Sequence, residues 1–292
     1  MKKFILNSIL FLGLILVCNT LVYLFAQDVY HESYNEVPDK SFRSFIFADS
    51  YGLAIGESGE DYGVYNFSAA SESYFDIQRK ISYLIRNNYQ IDKVYLAVDN
   101  HTLSPNRKQM NNLDRSVCFS SKGDFDTTYD YLKNRYIRYY GAIFRPSIRA
   151  LLRSYLFQKV RTFIKGEPEV EIDGSEWRHL TDAQRNSEAE AIVEIQFPSG
   201  DSSDKLEKTL EDIIGLSKEH GFELVGVKLP VSASYSKALN NANYGADKLF
   251  AAHGIPVLNF KRKYLERDDF FADPNHLNEI GGEVFTKLLL TK

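Results

Sequence analysis

Ser44-Phe45-Ile46-Phe47-Ala48-Asp49-Ser50-Tyr51-Gly52 is an apolar run that stops at an acid, a hydroxyl and a glycine. A buried strand that ends on a sharp turn holds the next serine's Oγ in the open, where a base can reach it. Further short apolar runs follow, at Val64 to Phe67 and Lys93 to Val98, and later at Phe222 to Leu229 and Ile255 to Phe260. Helical periodicity separates them: Tyr74 to Asn87, Asp204 to His220, Asn241 to His253 and Glu279 to Leu290. Strands alternating with helices predict an α/β fold, a three-layer α/β/α sandwich around a mostly parallel central sheet. Ligands of such sheets sit at the carboxyl ends of the strands.

Far from Ser50, the stretch Asp273-Pro274-Asn275-His276-Leu277-Asn278 precedes the last helical segment. A carboxylate three positions before a histidine can accept the imidazole Nδ1–H and leave Nε2 facing a serine. The bland reading of each motif is a turn or helix cap, for which Asp, Asn and Ser are the usual residues.

The 292 residues, 44% hydrophobic, suffice for one sizeable core. A formal net charge of -4 argues against a general polyanion binder, yet nine Lys or Arg stand against one acid between Tyr129 and Lys165. That segment carries +8 and the rest of the chain -12, so an anionic partner would be drawn to it. Arg145, Arg149 and Arg153 recur every four residues, as along one helix flank, and six tyrosines and three phenylalanines are interleaved with the bases. A solvated amphipathic helix, an anionic membrane surface, a membrane partner and a saccharide groove all fit that pattern. It lies within a stretch, about 103–200, that interrupts the strand–helix rhythm and is read as a largely helical insertion.

Met1-Lys2-Lys3 precedes an apolar run from Phe4 to Ala26, about 35 Å long as a helix and enough to cross a bilayer core of about 30 Å. A cleaved signal peptide would need small residues that Leu24-Phe25-Ala26 supplies only once, and lipidation at Cys18 is disfavoured by the bulky Val17. The reading adopted is an uncleaved transmembrane signal anchor over residues 1–27, a stalk over 28–40 and a folded body over 41–292. The body would face the periplasm or cell exterior from an inner or cytoplasmic membrane crossed once. Cys118 is the one thiol outside the anchor, so the body holds no internal disulfide.

Phe47-Ala48-Asp49-Ser50-Tyr51-Gly52 resembles the first sequence block of the SGNH (GDSL) hydrolase superfamily, with Ala48 where glycine is usual. Asn66-Phe67-Ser68-Ala69-Ala70-Ser71 stands at the second block, with Ser71 at its glycine. Val98-Asp99-Asn100-His101 is similar to the third, with Asn100 matching the oxyanion asparagine. Asp273-Pro274-Asn275-His276 matches the last. The resemblance covers roughly residues 42–100 and 203–290 and implies Ser50 as nucleophile, His276 as base and Asp273 as its orienting carboxylate. It also implies an oxyanion hole from the N–H groups of Ser50 and Ser71 and the amide of Asn100. His101, Arg138, Arg145 and Arg149 are placed as substrate-binding residues.

Anchored members of that superfamily include acyl-transfer proteins that work beside a multispanning membrane acyltransferase. The implied activity is therefore serine-dependent acyl transfer, or ester hydrolysis, on a cell-surface or secreted polysaccharide, with a saccharide acceptor and an acyl donor as partners. No cofactor, metal or nucleic acid is expected. The alternative is a non-catalytic SGNH-like protein that binds polysaccharide or scaffolds a membrane complex. A metal site built from Asp49, Asp99, His101, Asp273 and His276 is a third reading, weakened by the lack of a tight ligand pair.

Overall fold

The computed structural model describes residues 1–31, 35–108, 113–165 and 176–291. Parts of the expected stalk (32–34) and insertion (109–112 and 166–175), and the last residue of the body, lie outside the described residues. The helices used below are, in chain order, α1 (Lys2–Ala26), α2 (Tyr74–Arg86), α3 (Pro146–Lys165), α4 (Asp182–Gln196), α5 (Asp204–His220), α6 (Ala233–Leu239), α7 (Ala246–Ala252) and α8 (Glu279–Leu290). The strands are β1 (Ser44–Phe47), β2 (Val64–Asn66), β3 (Lys93–Ala97), β4 (Glu223–Lys228) and β5 (Val257–Asn259). Two compact units result: Met1–Val37 with Asp114–Ile172, and Pro38–Leu113 with Asp173–Lys292.

In the second unit the five strands form one parallel sheet in the order β2-β1-β3-β4-β5. The expected α/β fold with a parallel central sheet is what the chain adopts. Strand side chains alternate between faces. Phe45 and Phe47 of β1 point one way, and Phe47 meets Phe67, over which lies Lys80 of α2. Helix α2, capped by the Ser73–Asp76 box, packs with α5 and buries Ile77, Ile81 and Leu84. Ile46 points to the other face, into a core shared with Ala97, Val227, Trp177, Ala189, Tyr235 and Phe285. Helix α8 closes this side against the 3-10 segment Ser50–Tyr62 that follows β1, while α4 packs on α6.

Strand order reverses between β1 and β3, whose chains leave in opposite directions and open a crevice at their carboxyl ends. Asp49-Ser50 follows β1, and Asp99-Asn100-His101 follows β3. The Ser203 N–H donates to the Leu103 carbonyl at 2.9 Å and ties the two ends of the intervening stretch together. Not all of that stretch is an add-on, because α4 lies within it and supplies Ala189 to the body's core. The helix expected over Asn241 to His253 begins only at Ala246, since Asn240 and Asn241 adopt left-handed φ values of 41° and 66° that end α6 instead.

In the first unit α1 packs on the turn Ala142–Phe144 and on α3, with Ala26, Ala142 and Ile148 buried together beside Val22 and Tyr23. Helix α1 is long and apolar enough to cross a membrane. Pro146 opens α3, as its fixed φ and missing N–H suit a first helical position. It also keeps the preceding residue extended, so Arg145 stands before the helix (φ -87°, ψ 121°) and not on it.

Candidate active site

Ser50 and His276, 226 positions apart, meet at 2.8 Å between Oγ and Nε2. His276 Nδ1 lies 2.7 Å from Asp273 Oδ2. A carboxylate only accepts, so Nδ1 carries the proton, and Nε2 is left to accept the Ser50 hydroxyl. The loop holds itself in shape: Asp273 Oδ1 also accepts the backbone N–H groups of Asn275 and His276, both at 2.9 Å. Asn278 caps α8 by accepting from the Gly281 N–H, so the helix starts three residues after the histidine. Burial acts to lower the His276 pKa, but the hydrogen bond and charge of Asp273 outweigh it and the pKa is raised above the ordinary histidine value. Asp273 is lowered: burial opposes ionisation, and the bond to His276 prevails.

Beneath the serine turn lies a second pair. Asp49 accepts from His101 Nε2 at 2.9 Å and from the Arg107 guanidinium at 2.8 Å, while its other oxygen takes the Tyr51 N–H at 3.0 Å. Burial would raise its pKa, yet Arg107 and His101 hold the carboxyl well below the usual range. Burial lowers the pKa of His101, which keeps that ring neutral near pH 7. The Tyr51 ring separates the two histidines, tilted against His101 at 4.7 Å and edge-on to His276 at 5.2 Å. Its hydroxyl joins Tyr235 and Gln196. Gly52 leaves room for Ser68, whose Oγ accepts the Ala48 N–H at 3.0 Å; a Cβ on Gly52 would fall 2.5 Å from that oxygen.

The three loops expected to supply an oxyanion hole leave neighbouring strands, β2, β1 and β3. Ser71 has φ 61°, a conformation glycine adopts without strain, and is exposed. Among the described residues no intramolecular acceptor takes the N–H of Ser50 or of Ser71. Asn100 is more committed than its sequence suggests. Lys228 Nζ, a pure donor, lies 2.7 Å from its Oδ1 and so fixes which end of the amide is nitrogen; Nδ2 then donates to the Ala242 carbonyl at 2.7 Å. One amide hydrogen remains for other use.

The substrate-binding reading of His101 and Arg145 needs correction. His101 is only 1% exposed and is consumed by Asp49, so it supports the turn and cannot contact substrate. Arg145 is buried in the first unit, where its guanidinium lies 3.2 Å from His31 Nε2, because Pro146 removes it from the helical row. Arg138 and Arg149 are exposed residues of that same unit, and a role for them in binding substrate stays an expectation. Four of the five residues of the metal reading separate into the two pairs, Asp99 instead accepts the Leu229 N–H, and Asp49 already faces the fixed cation of Arg107. Among the described residues, no group of three acidic, histidine or cysteine side chains could hold a metal ion.

Sequence reasoning missed Arg107, Lys228 and Gln196. Arg107 had one available signal: a buried acid beside the serine turn requires a counter-charge.

No protein-family model matches the chain, and no curated protein matches it. Among solved structures, the crystal structure of a Bacteroides fragilis protein provisionally assigned as an acylhydrolase aligns with a TM-score of 0.41 at 9% identity, over 90% of this chain and 92% of that one. A likeness that distant carries no argument about activity.

Proposed function

We propose that this chain is an SGNH-type serine acylhydrolase or O-acyltransferase that forms an acyl-serine intermediate. The observation that carries this reading is the unbroken relay Asp273–His276–Ser50, with bonds of 2.7 and 2.8 Å, at the strand-order reversal of a parallel sheet. In the first step Ser50 Oγ attacks an ester carbonyl while its proton passes to His276 Nε2. The tetrahedral oxyanion takes hydrogen bonds from Ser50 N–H, Ser71 N–H and the remaining Asn100 amide hydrogen, each such donor contributing about 3 to 4 kcal/mol. Collapse breaks the ester bond, and the leaving oxygen takes the proton from His276. A hydroxyl or water then gives its proton to His276, attacks the acyl-serine and restores the enzyme.

The finer reading is a membrane-anchored protein whose acceptor is a cell-surface or secreted saccharide and whose donor is supplied by a multispanning acyltransferase. It is supported by α1 and by the resemblance of the four blocks. Mass spectrometry of the detergent-solubilised full chain after incubation with an activated acetyl ester tests the core of the proposal. An adduct of about 42 Da that is absent in Ser50→Ala is expected of a serine nucleophile. No adduct and no ester turnover in a folded parent protein would overturn it in favour of the non-catalytic reading.

A further inference from the structure

The basic, aromatic segment has no part in the relay, and the first unit gives it a setting. Helix α3 turns one side to α1: Ile148 is fully buried, and Tyr155 packs edge-on against Phe25 at 5.1 Å. At 100° per residue, Arg149, Leu152, Arg153, Leu156, Phe157 and Val160 fall together on a different side. They line one shallow groove. Phe157 is 69% exposed, and Leu156 and Val160 are more than half exposed. An apolar strip flanked by arginines suits the boundary between acyl chains and headgroups, with the charged heads reaching outward.

A second observation fixes the depth. Asn19 is a polar side chain inside the apolar run, where an unpaired amide would be costly in lipid. Its Nδ2 donates to the Tyr140 carbonyl at 2.9 Å, and its Oδ1 accepts the Ile143 N–H at 3.2 Å. The turn carrying exposed Phe144 is therefore bonded to α1 about 10 Å before that helix ends. The 25 residues of α1 span about 37 Å against a bilayer core of about 30 Å, so its last turns reach the interface, together with whatever is bonded to them. Tyr23 of α1, and Tyr139 and Tyr140 packed against it, are the residue type that favours that level.

We propose that the turn Ala142–Phe144 and α3 form a platform lying in the outer interface of the bilayer that α1 spans, apolar strip toward the acyl chains and arginines on anionic headgroups. The proposal rests on α1 spanning a membrane but not on the activity of Ser50.

Tryptophan reporters test both levels in the full chain reconstituted into vesicles containing an anionic phospholipid. The native Trp177 is buried and gives the baseline. Phe157→Trp should be quenched by lipids brominated near the headgroup end of the acyl chain, and Leu14→Trp, in the middle of α1, by bromines deep in the chain. Replacing Arg149 and Arg153 by Gln should release the Phe157→Trp reporter, each arginine shifting the docked population about fivefold. Quenching of Leu14→Trp without quenching of Phe157→Trp at any anionic lipid content overturns the platform, leaves the anchor intact and assigns the strip to a protein partner. Absence of quenching at both positions overturns the anchor reading and the platform with it.

Discussion

Gly282 of α8 lies so close to Ala54 that a Cβ on the glycine would fall 1.8 Å from the Ala54 carbonyl oxygen. The neighbouring Gly281 would meet the Phe270 carbonyl at 2.2 Å. One helix thus presses on the segment that begins at Ser50 and on the loop that leads to Asp273. Gly282→Ala should cost about 1 to 3 kcal/mol or more and slow serine acylation beyond what the loss of folded protein explains. Gly215→Ala is the control, because nothing lies within 4 Å of its would-be Cβ; it should stabilise α5 by up to about 1 kcal/mol. Thermal melts beside active-site titration separate the two effects.

Ser50→Ala and His276→Ala should each lower ester turnover by about 10^4-fold or more, with little further loss in the double variant, since the two act as one unit. Neither should change the circular dichroism spectrum. A double variant far worse than either single variant would show that they act independently.

The base must be neutral to accept the serine proton, and Asp273 raises its pKa. Activity should therefore climb as pH rises through a value above 6.5, the ordinary histidine value, and be lost below it. In Asp273→Asn the raising charge is gone while burial still acts, so the acid limb should move to lower pH even as the plateau rate falls by about 10^4-fold. A pH–rate profile of the two proteins reads both changes; an unmoved limb would assign it to another group.

Asp99 is buried, and burial, followed by the charge of Asp49, pushes its pKa up to about 8. One oxygen accepts the Leu229 N–H at 2.8 Å, and the other has no hydrogen-bond partner among the described residues. The folded state holds a proton that the unfolded chain releases near pH 4, so this group should lower stability as pH rises from about 4 to about 8. Asp99→Asn mimics the protonated acid and should stabilise the protein more at pH 9 than at pH 5. Denaturant titrations at the two pH values check the sign.

The parallel sheet and the relay were legible in the sequence for a physical reason. The strands and each half of the relay carry short-range signals, since Asp49-Ser50 follows β1 and Asp273 lies three residues from His276, while the resemblance joined the two halves across 226 positions. What was not legible depends on partners far apart in the chain. Asp49 meets Arg107, Asn100 meets Lys228, and Tyr51 meets Gln196 across 145 positions. No local pattern in Val98-Asp99-Asn100-His101 distinguishes a histidine facing substrate from one bonded to a buried acid. Arg145 misled for a local reason: spacing alone suggested a helical row, but Pro146 begins the helix one residue too late to include it.

Trp177 is the single tryptophan of the chain, 2% exposed in the core of the second unit, with the Arg185 guanidinium over its ring at 5.7 Å. Light that excites tryptophan selectively is therefore answered from that unit alone. The protein carries an intrinsic optical reporter for the part of the molecule that holds Ser50, His276 and Asp273, while the tyrosine-rich segment bonded to α1 stays silent. Loss of this signal during heating would date the melting of the relay's surroundings without any label, and would do so in detergent or lipid, where scattering and bilayer helices blur other spectroscopies.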